Sequence, residues 1–324
     1  MKKLFNEGIL NIISDCSGCF LITSDIDSKA YYLSEDEEIT QIETYSKASY
    51  VYRYDADSIF IPSMYYRAVG YDKNLVRKYR IRTDLLTGNE MAACDNKNIY
   101  YYNEPVSANA KLFRLNFESG LNEEIKLDIP KRKNRKIRYT YISINENQLI
   151  VIYYYFGEQE TCFDDMFMRI YSITDDNYEL LCERLIEKGV RGVYEYDSES
   201  PKGHVLLFEK VVYDNTGLRV KGEYLALLNN KNEINRLFTI PYDSSNGVIS
   251  YAVSFEKRFV VLMWYQRVLT CDLDTGEVIC DLTDLLNNNK KACFHCVGFR
   301  KGKLLVASDT GLFELEENEY LGRK

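Results

Sequence analysis

Phe259-Val-Val-Leu-Met-Trp264, a short connection, Arg267-Val-Leu-Thr-Cys271, then Asp272-Leu-Asp-Thr-Gly-Glu277 and Val278-Ile-Cys-Asp-Leu282 form the stretch that decides how the chain folds. The first run is apolar throughout and only six residues long, which reads as a strand buried on both faces. Arg267–Cys271 is shorter and half-buried in pattern. Asp272–Glu277 carries turn chemistry, an Asp whose side chain can bond its own backbone and a Gly that accepts positive φ. Val278–Leu282 then returns as an outer strand.

The same grammar recurs along the chain. Leu149–Ile152 leads to Met168–Ser172, the turn Thr174–Asn177 and Tyr178–Leu181. Ile99–Tyr102 leads to Leu112–Asn116, a turn at Glu118–Gly120, and Glu124–Leu127. Related runs begin at Cys19, Ser58, Val205 and Leu304, and a further strand candidate precedes each, such as Ile9–Ile13, Tyr139–Ser143 and Ile249–Val253. Seven such units divide the 324 residues into repeats of roughly 45, the length of a four-stranded blade. Their bounds fall near 8–44, 48–82, 90–128, 137–183, 189–239, 247–283 and 291–324. Helical periodicity is confined to short turns at Leu181–Lys188 and Leu282–Asn289.

In this repeat, and above all in the hairpin at 272–277, the chain resembles the β-propellers as a class. It lacks the Gly-His and Trp-Asp signatures of WD repeats and the paired glycine of kelch repeats, so no family within the class is singled out. The resemblance implies an all-β, seven-bladed β-propeller built as one domain over 1–324. A ring lets each sheet bury both faces and hides most strand edges. The last unit runs short after Leu315, which predicts that the segment around Lys3–Asn6 pairs into the last blade.

Composition agrees. There are 28 Tyr against 15 Phe and 1 Trp, with only 5 Pro, and Tyr suits a pleated surface with one wet edge. The formal charge of −8 argues against a nucleic-acid partner over the whole surface. No apolar run reaches the length of a signal peptide or a membrane helix, and Asp15 before Cys16 spoils a lipoprotein-type cleavage site. Nine scattered cysteines fit free thiols better than a disulfide framework. The expectation is a cytoplasmic monomer without a cofactor.

Several constellations bear on chemistry. Cys16-Ser-Gly-Cys19 and Cys293-Phe-His-Cys296 have zinc-like spacing, but the first straddles a hairpin turn and the second opens a strand nearer the opposite end. Buried thiols are the expectation, with no metal. His204 and His295 are the only histidines, too few for most nucleophile–base systems. The acidic pairs Asp25/Asp27, Asp164/Asp165, Asp175/Asp176 and Asp272/Asp274 could suggest calcium or paired-carboxylate chemistry, but Asp175/Asp176 and Asp272/Asp274 fall in hairpin turns, while Asp164 and Asp165 sit in a predicted inter-strand loop where a functional role is possible. Lys131-Arg-Lys-Asn-Arg-Lys-Ile-Arg138 is the one strong basic run, readable as a phosphate contact or as a solvated loop.

In a propeller, the connection between the second and third strands opens on the same face as the connection between blades. Here these connections carry Tyr65, Tyr66, Arg67, Phe156, Tyr213, Trp264, Tyr265 and Arg267. Aromatics with arginine give large contact area for little lost entropy, so this face is predicted to bind a protein, peptide or glycan. The longer connections, 103–111, 156–166 and 213–223, would make the face lopsided. A hydrolase or lyase using carboxylates at the channel mouth is the alternative reading.

Overall fold

The computed structural model describes the chain apart from residues 15–17, 24–27, 44–51, 56–57, 64–66, 73, 83–91, 96, 104–107, 117, 146, 158–162, 175–176, 189, 195–197, 200–202, 215–216, 241–246, 288–291 and 324. The strands are Lys2–Phe5 (β1); Ile9–Ser14, Gly18–Thr23, Ala30–Ser34 and Ile39–Ile42 (β2–β5); and Tyr52–Asp55, Ser58–Ser63, Arg67–Asp72 and Arg77–Arg82 (β6–β9). Ala92–Cys94, Asn98–Asn103, Lys111–Asn116 and Asn122–Ile125 follow (β10–β13), then Arg135–Asn145, Gln148–Gly157, Phe163–Thr174 and Asn177–Lys188 (β14–β17). Val190–Tyr194 and Ser198–Glu199 (β18, β19) precede Gly203–Asp214, Gly217–Asn229 and Ile234–Thr239 (β20–β22). Ser250–Ser254, Phe259–Trp264, Arg267–Asp272 and Val278–Asp281 (β23–β26) lead through the short helix Thr283–Asn287 (α1) to Phe294–Arg300, Lys303–Ser308 and Gly311–Leu315 (β27–β29). A last turn of helix spans Glu317–Tyr320 (α2).

These strands make six sheets of four strands and one of five, where seven four-stranded sheets were expected. The extra member is β19, which pairs parallel to β23 through Ser198↔Val253 and Glu199↔Ser254.

By internal contacts the chain falls into two compact units. One comprises Met1–Glu43, Glu195–Glu209 and Thr216–Lys324; the other comprises Thr44–Tyr194 and Lys210–Asn215. In the first unit, β1 pairs antiparallel with β29 in the order β1-β29-β28-β27, as the short last repeat predicted. Its cores include Phe259, Val261, Phe294, Val306 and Tyr320 in one cluster, and Ile9, Cys19, Leu305 and Leu312 in another. In the second unit, Tyr100, Ile137, Leu149, Val151, Tyr153 and Tyr171 share a single cluster.

The repeated turns explain themselves locally. The third strand of a sheet ends in a residue whose side-chain oxygen accepts from the turn it introduces. Asp272 accepts from the amides of Asp274 (2.9 Å) and Thr275 (2.8 Å), and Asp72 from those of Asn74 and Val76 (both 3.0 Å). Asn116 and Asn229 do the same for Glu118, Ser119, Lys231 and Glu233. The pair Asp272/Asp274 is therefore turn chemistry; Asp25, Asp27, Asp175 and Asp176 lie outside the described residues.

Two expectations about loops and helices are corrected. The stretches 156–166 and 213–223 are mostly strand, because β15, β16, β20 and β21 run for 10 to 13 residues. Asp164 and Asp165 thus lie within β16, not in a loop. Leu181–Lys188 is also strand: β17 pairs with β16 from Thr174↔Asn177 to Asp165↔Lys188, with irregularities opposite Met166/Phe167 and Ile170/Tyr171. The ladder to β16 satisfies the backbone groups on the inner side of this edge strand, and the bulges absorb the pattern that looked helical. Among the described residues, no helix is long and apolar enough to cross a membrane.

Candidate functional site: a cationic turn over an aromatic cluster

In the second unit, the chain leaves β13, crosses Pro130–Asn134 and enters β14 at Arg135. The crossing is a tight turn. The Arg135 amide donates to the Arg132 carbonyl at 3.3 Å, and Asn134 takes φ 57°, a left-handed value that Asn tolerates better than most residues. From one side the turn is held by Tyr155, whose hydroxyl donates to the Pro130 carbonyl at 2.7 Å. The start of β14 is held by the β11–β12 connection: Ile137 donates to Asn109 Oδ1 (2.9 Å), Ala110 donates to the Ile137 carbonyl (2.9 Å), and Arg138 donates to the Ala108 carbonyl (2.7 Å).

Above this frame the Arg132 guanidinium lies 4.1 Å from the Tyr155 ring centroid and 5.2 Å from that of Phe167. Tyr153 completes the cluster, stacked on Phe167 at 5.6 Å and edge-on to Tyr155 at 5.7 Å. The cluster rests on an ionic network centred on buried Arg169. Arg169 pairs with Glu183, donates to the carbonyl (3.1 Å) and carboxylate (3.2 Å) of Asp128, and donates to the Tyr171 hydroxyl (3.2 Å). Tyr153 donates to Glu183 at 3.1 Å. Burial pushes the Tyr153 and Tyr139 hydroxyls above the ordinary tyrosine range and that of Tyr171 up to about 12, even though Arg169 opposes it. The hydroxyls of Tyr153 and Tyr171 are neutral donors that brace the site through Glu183 and Asp128.

Unlike Arg169, the cations of the turn are not consumed. Lys131, Arg132 and Lys133 are exposed, and among the described residues none of them pairs with a carboxylate or donates a hydrogen bond. Most other surface cations here are paired, including Lys111 with Glu124 (2.8 Å), Arg114 with Glu123 (2.6 Å) and Lys301 with Glu35 (2.9 Å).

The residues singled out by sequence fare differently. Tyr65 and Tyr66 lie outside the described residues, as do the side chains of Arg67 and Tyr213, whose backbones are in β8 and β20. Phe156 is half-buried in β15 opposite Lys136 of β14, so an aromatic stretch and the basic run, read separately in the sequence, share one hairpin end. Tyr265 is 47% exposed on the two-residue β24–β25 turn. Arg267 is committed to Asp281 at 3.0 Å. Trp264, expected outside the core, is 3% exposed; it closes β24, which is buried along its whole length. Phe167 and the stacking role of Arg132 were not foreseen. Their signal lay in the alternation on either side of Tyr139–Ser143 and Leu149–Ile152: extending both strands places Lys136 opposite Phe156.

The two Cys-x-x-Cys segments partly meet. Cys19 and Cys296 are buried in one cluster, Cys293 is exposed, and Cys16 is outside the described residues. Cys293 precedes Phe294, which pairs with Ser308 beside the β28–β29 turn, whereas Cys19 pairs with Ser14 beside the β2–β3 turn. Of the histidines, His204 lies at the start of β20 and His295 on β27 is half-buried.

The β-propeller domain of Cps50 (Swd1) from Myceliophteria thermophila superposes with a TM-score of 0.61 at 12% identity, covering 95% of this chain and 98% of that one. The Dos1 propeller gives 0.60 at 10% identity, covering 97% and 93%. The chain has a β-propeller fold. A computationally designed protein, Ika8, is also similar, with a TM-score of 0.54 at 9% identity over 96% of each chain. No protein-family model and no curated protein sequence matches the chain. At these identities the likeness extends to the propeller fold and not to an activity.

Proposed function

We propose that this propeller is a non-enzymatic recognition platform for a partner protein or peptide, and that the turn Lys131–Lys136 with its aromatic bed is a contact surface. The observation that carries the reading is Arg132: its plane is spent on Tyr155 at 4.1 Å while its hydrogen-bonding edge is spent on nothing described. Oriented arginines on aromatic supports lose little entropy when a partner arrives, which is why such pairs recur in binding hot spots. The reading takes each of the seven sheets as one blade of a single ring over 1–324, in a cytoplasmic monomer without a cofactor. In the first unit, exposed Tyr265 is the proposed contact, with Trp264 supporting its turn from within.

A photo-crosslinking residue at Lys133 tests this, with Glu118 on the β12–β13 turn as control. The expected result is one discrete adduct from host extract at position 133, absent at 118 and reproduced with the purified partner. Equal labelling at both positions, or none at 133, overturns the reading.

A further inference from the structure

Resting on that reading, we infer that the partner presents an acidic segment, a short run of Asp or Glu carboxylates seated on Lys131, Arg132 and Lys133. The argument begins with charge accounting. The chain carries 49 acidic and 41 basic residues, so three consecutive unpaired cations stand against its overall balance. Thirteen of the described Lys and Arg side chains outside this run, among them Lys2, Lys78, Lys210, Lys257 and Arg258, sit within ion-pair distance of a carboxylate of the same chain. The three consecutive cations at 131–133 do not, and they are exposed together.

Geometry then selects the ligand. Stacking on Tyr155 and Phe167 fixes the guanidinium plane and leaves its donors in a fork that matches a carboxylate with two bonds. The flanking lysines supply point charges without directional demand. The positive footprint is short. Asp128, three residues before Lys131, has a side chain 69% exposed even though it pairs with Arg169, and Glu123 and Glu124, paired with Arg114 and Lys111, precede it. A long polyanion such as a nucleic acid would run onto these carboxylates; a few adjacent acidic side chains would not.

The test is fluorescence anisotropy with a labelled twelve-residue peptide carrying four consecutive glutamates. The same peptide with glutamines and a single-stranded DNA of twelve nucleotides serve as comparisons. The glutamate peptide should bind, the glutamine peptide should not, and added salt should weaken binding. Lys131→Ala/Lys133→Ala should weaken it by about tenfold, and Arg132→Lys should weaken it although the charge is kept. Equal binding of the glutamine peptide, or full binding by the double variant, overturns the inference. DNA binding tighter than the peptide with the same variant dependence replaces the acidic segment with a nucleic acid and also overturns it. The double variant removes no described contact, so its folding is not at issue. A crosslinked partner without an acidic stretch would leave the platform standing and sink only this inference.

Discussion

Arg132 lies with its guanidinium carbon 4.1 Å from the Tyr155 ring centroid, and the Tyr155 hydroxyl in turn holds the carbonyl of Pro130, two residues upstream of that arginine. Side chain and turn brace each other. Arg132→Ala should lower stability by about 1 kcal/mol, as expected of a cation over an aromatic face. Lys131→Ala/Lys133→Ala should change it by less than about 0.5 kcal/mol, since these exposed side chains make no described hydrogen bond or ion pair. Urea unfolding of the two variants checks this; equal losses would show that the stack is not formed.

Trp264 is buried where the sequence had placed a contact residue. Trp264→Ala should cost about 3–5 kcal/mol through the cavity it leaves. Tyr265→Ala should cost little, because that ring is 47% exposed on the turn. A mild Trp264→Ala variant by thermal melting would contradict the packing described.

Gly311 opens β29 at φ 143°, and a Cβ there would stand 2.3 Å from the Phe5 carbonyl of β1. Gly311→Ala therefore forces β1 away from its partner strand. Amide hydrogen exchange should accelerate over Lys2–Phe5 before it does in β27 or β28. Unchanged protection of β1 would rule this out.

Burial separates the thiols. It pushes Cys271 up to about 12, and Cys19 and Cys296 are also buried, whereas Cys293 is exposed. Only the thiolate attacks an alkylating agent, so among these four Cys293 should be modified first. Peptide mass mapping after brief iodoacetamide treatment checks the order.

His295 is held below the ordinary histidine value of 6.5 by burial, which outweighs the opposing pull of Asp309. Below that value the unfolded chain takes up a proton that the folded chain resists, so stability falls as pH drops through the unfolded pKa and the loss is complete below the folded one. His295→Gln should flatten the decline in melting temperature between about pH 7 and 5. An identical slope in the variant would assign that decline to other groups.

Alternation and turn chemistry are local properties, and they were legible residue by residue. The Asp272 turn, the strand Phe259–Trp264 and the pairing of β1 with β29 all follow from the order of residue types along the chain. The face a residue occupies is also local, but only when the strand's length is known. Trp264 stood both as the last residue of a buried strand and as a contact residue, and only the first of these holds. Leu181–Lys188 was misread because a pattern of Leu and Ile with charges suits a helix until a neighbouring strand offers a ladder.

What the sequence determined by itself was the repeat: strands of buried and half-buried pattern, punctuated by side chains that close their own turns. Tertiary structure alone decided which cations remain available. Lys111, Arg114 and Lys131 look alike in the sequence, yet the first two face Glu124 and Glu123 across a hairpin, and Lys131 faces no described carboxylate. The reason is physical. A strand's pattern depends on near neighbours, whereas the pairing of a charge depends on which side chains the sheet register brings within a few ångströms, and that register is set only when the strands dock.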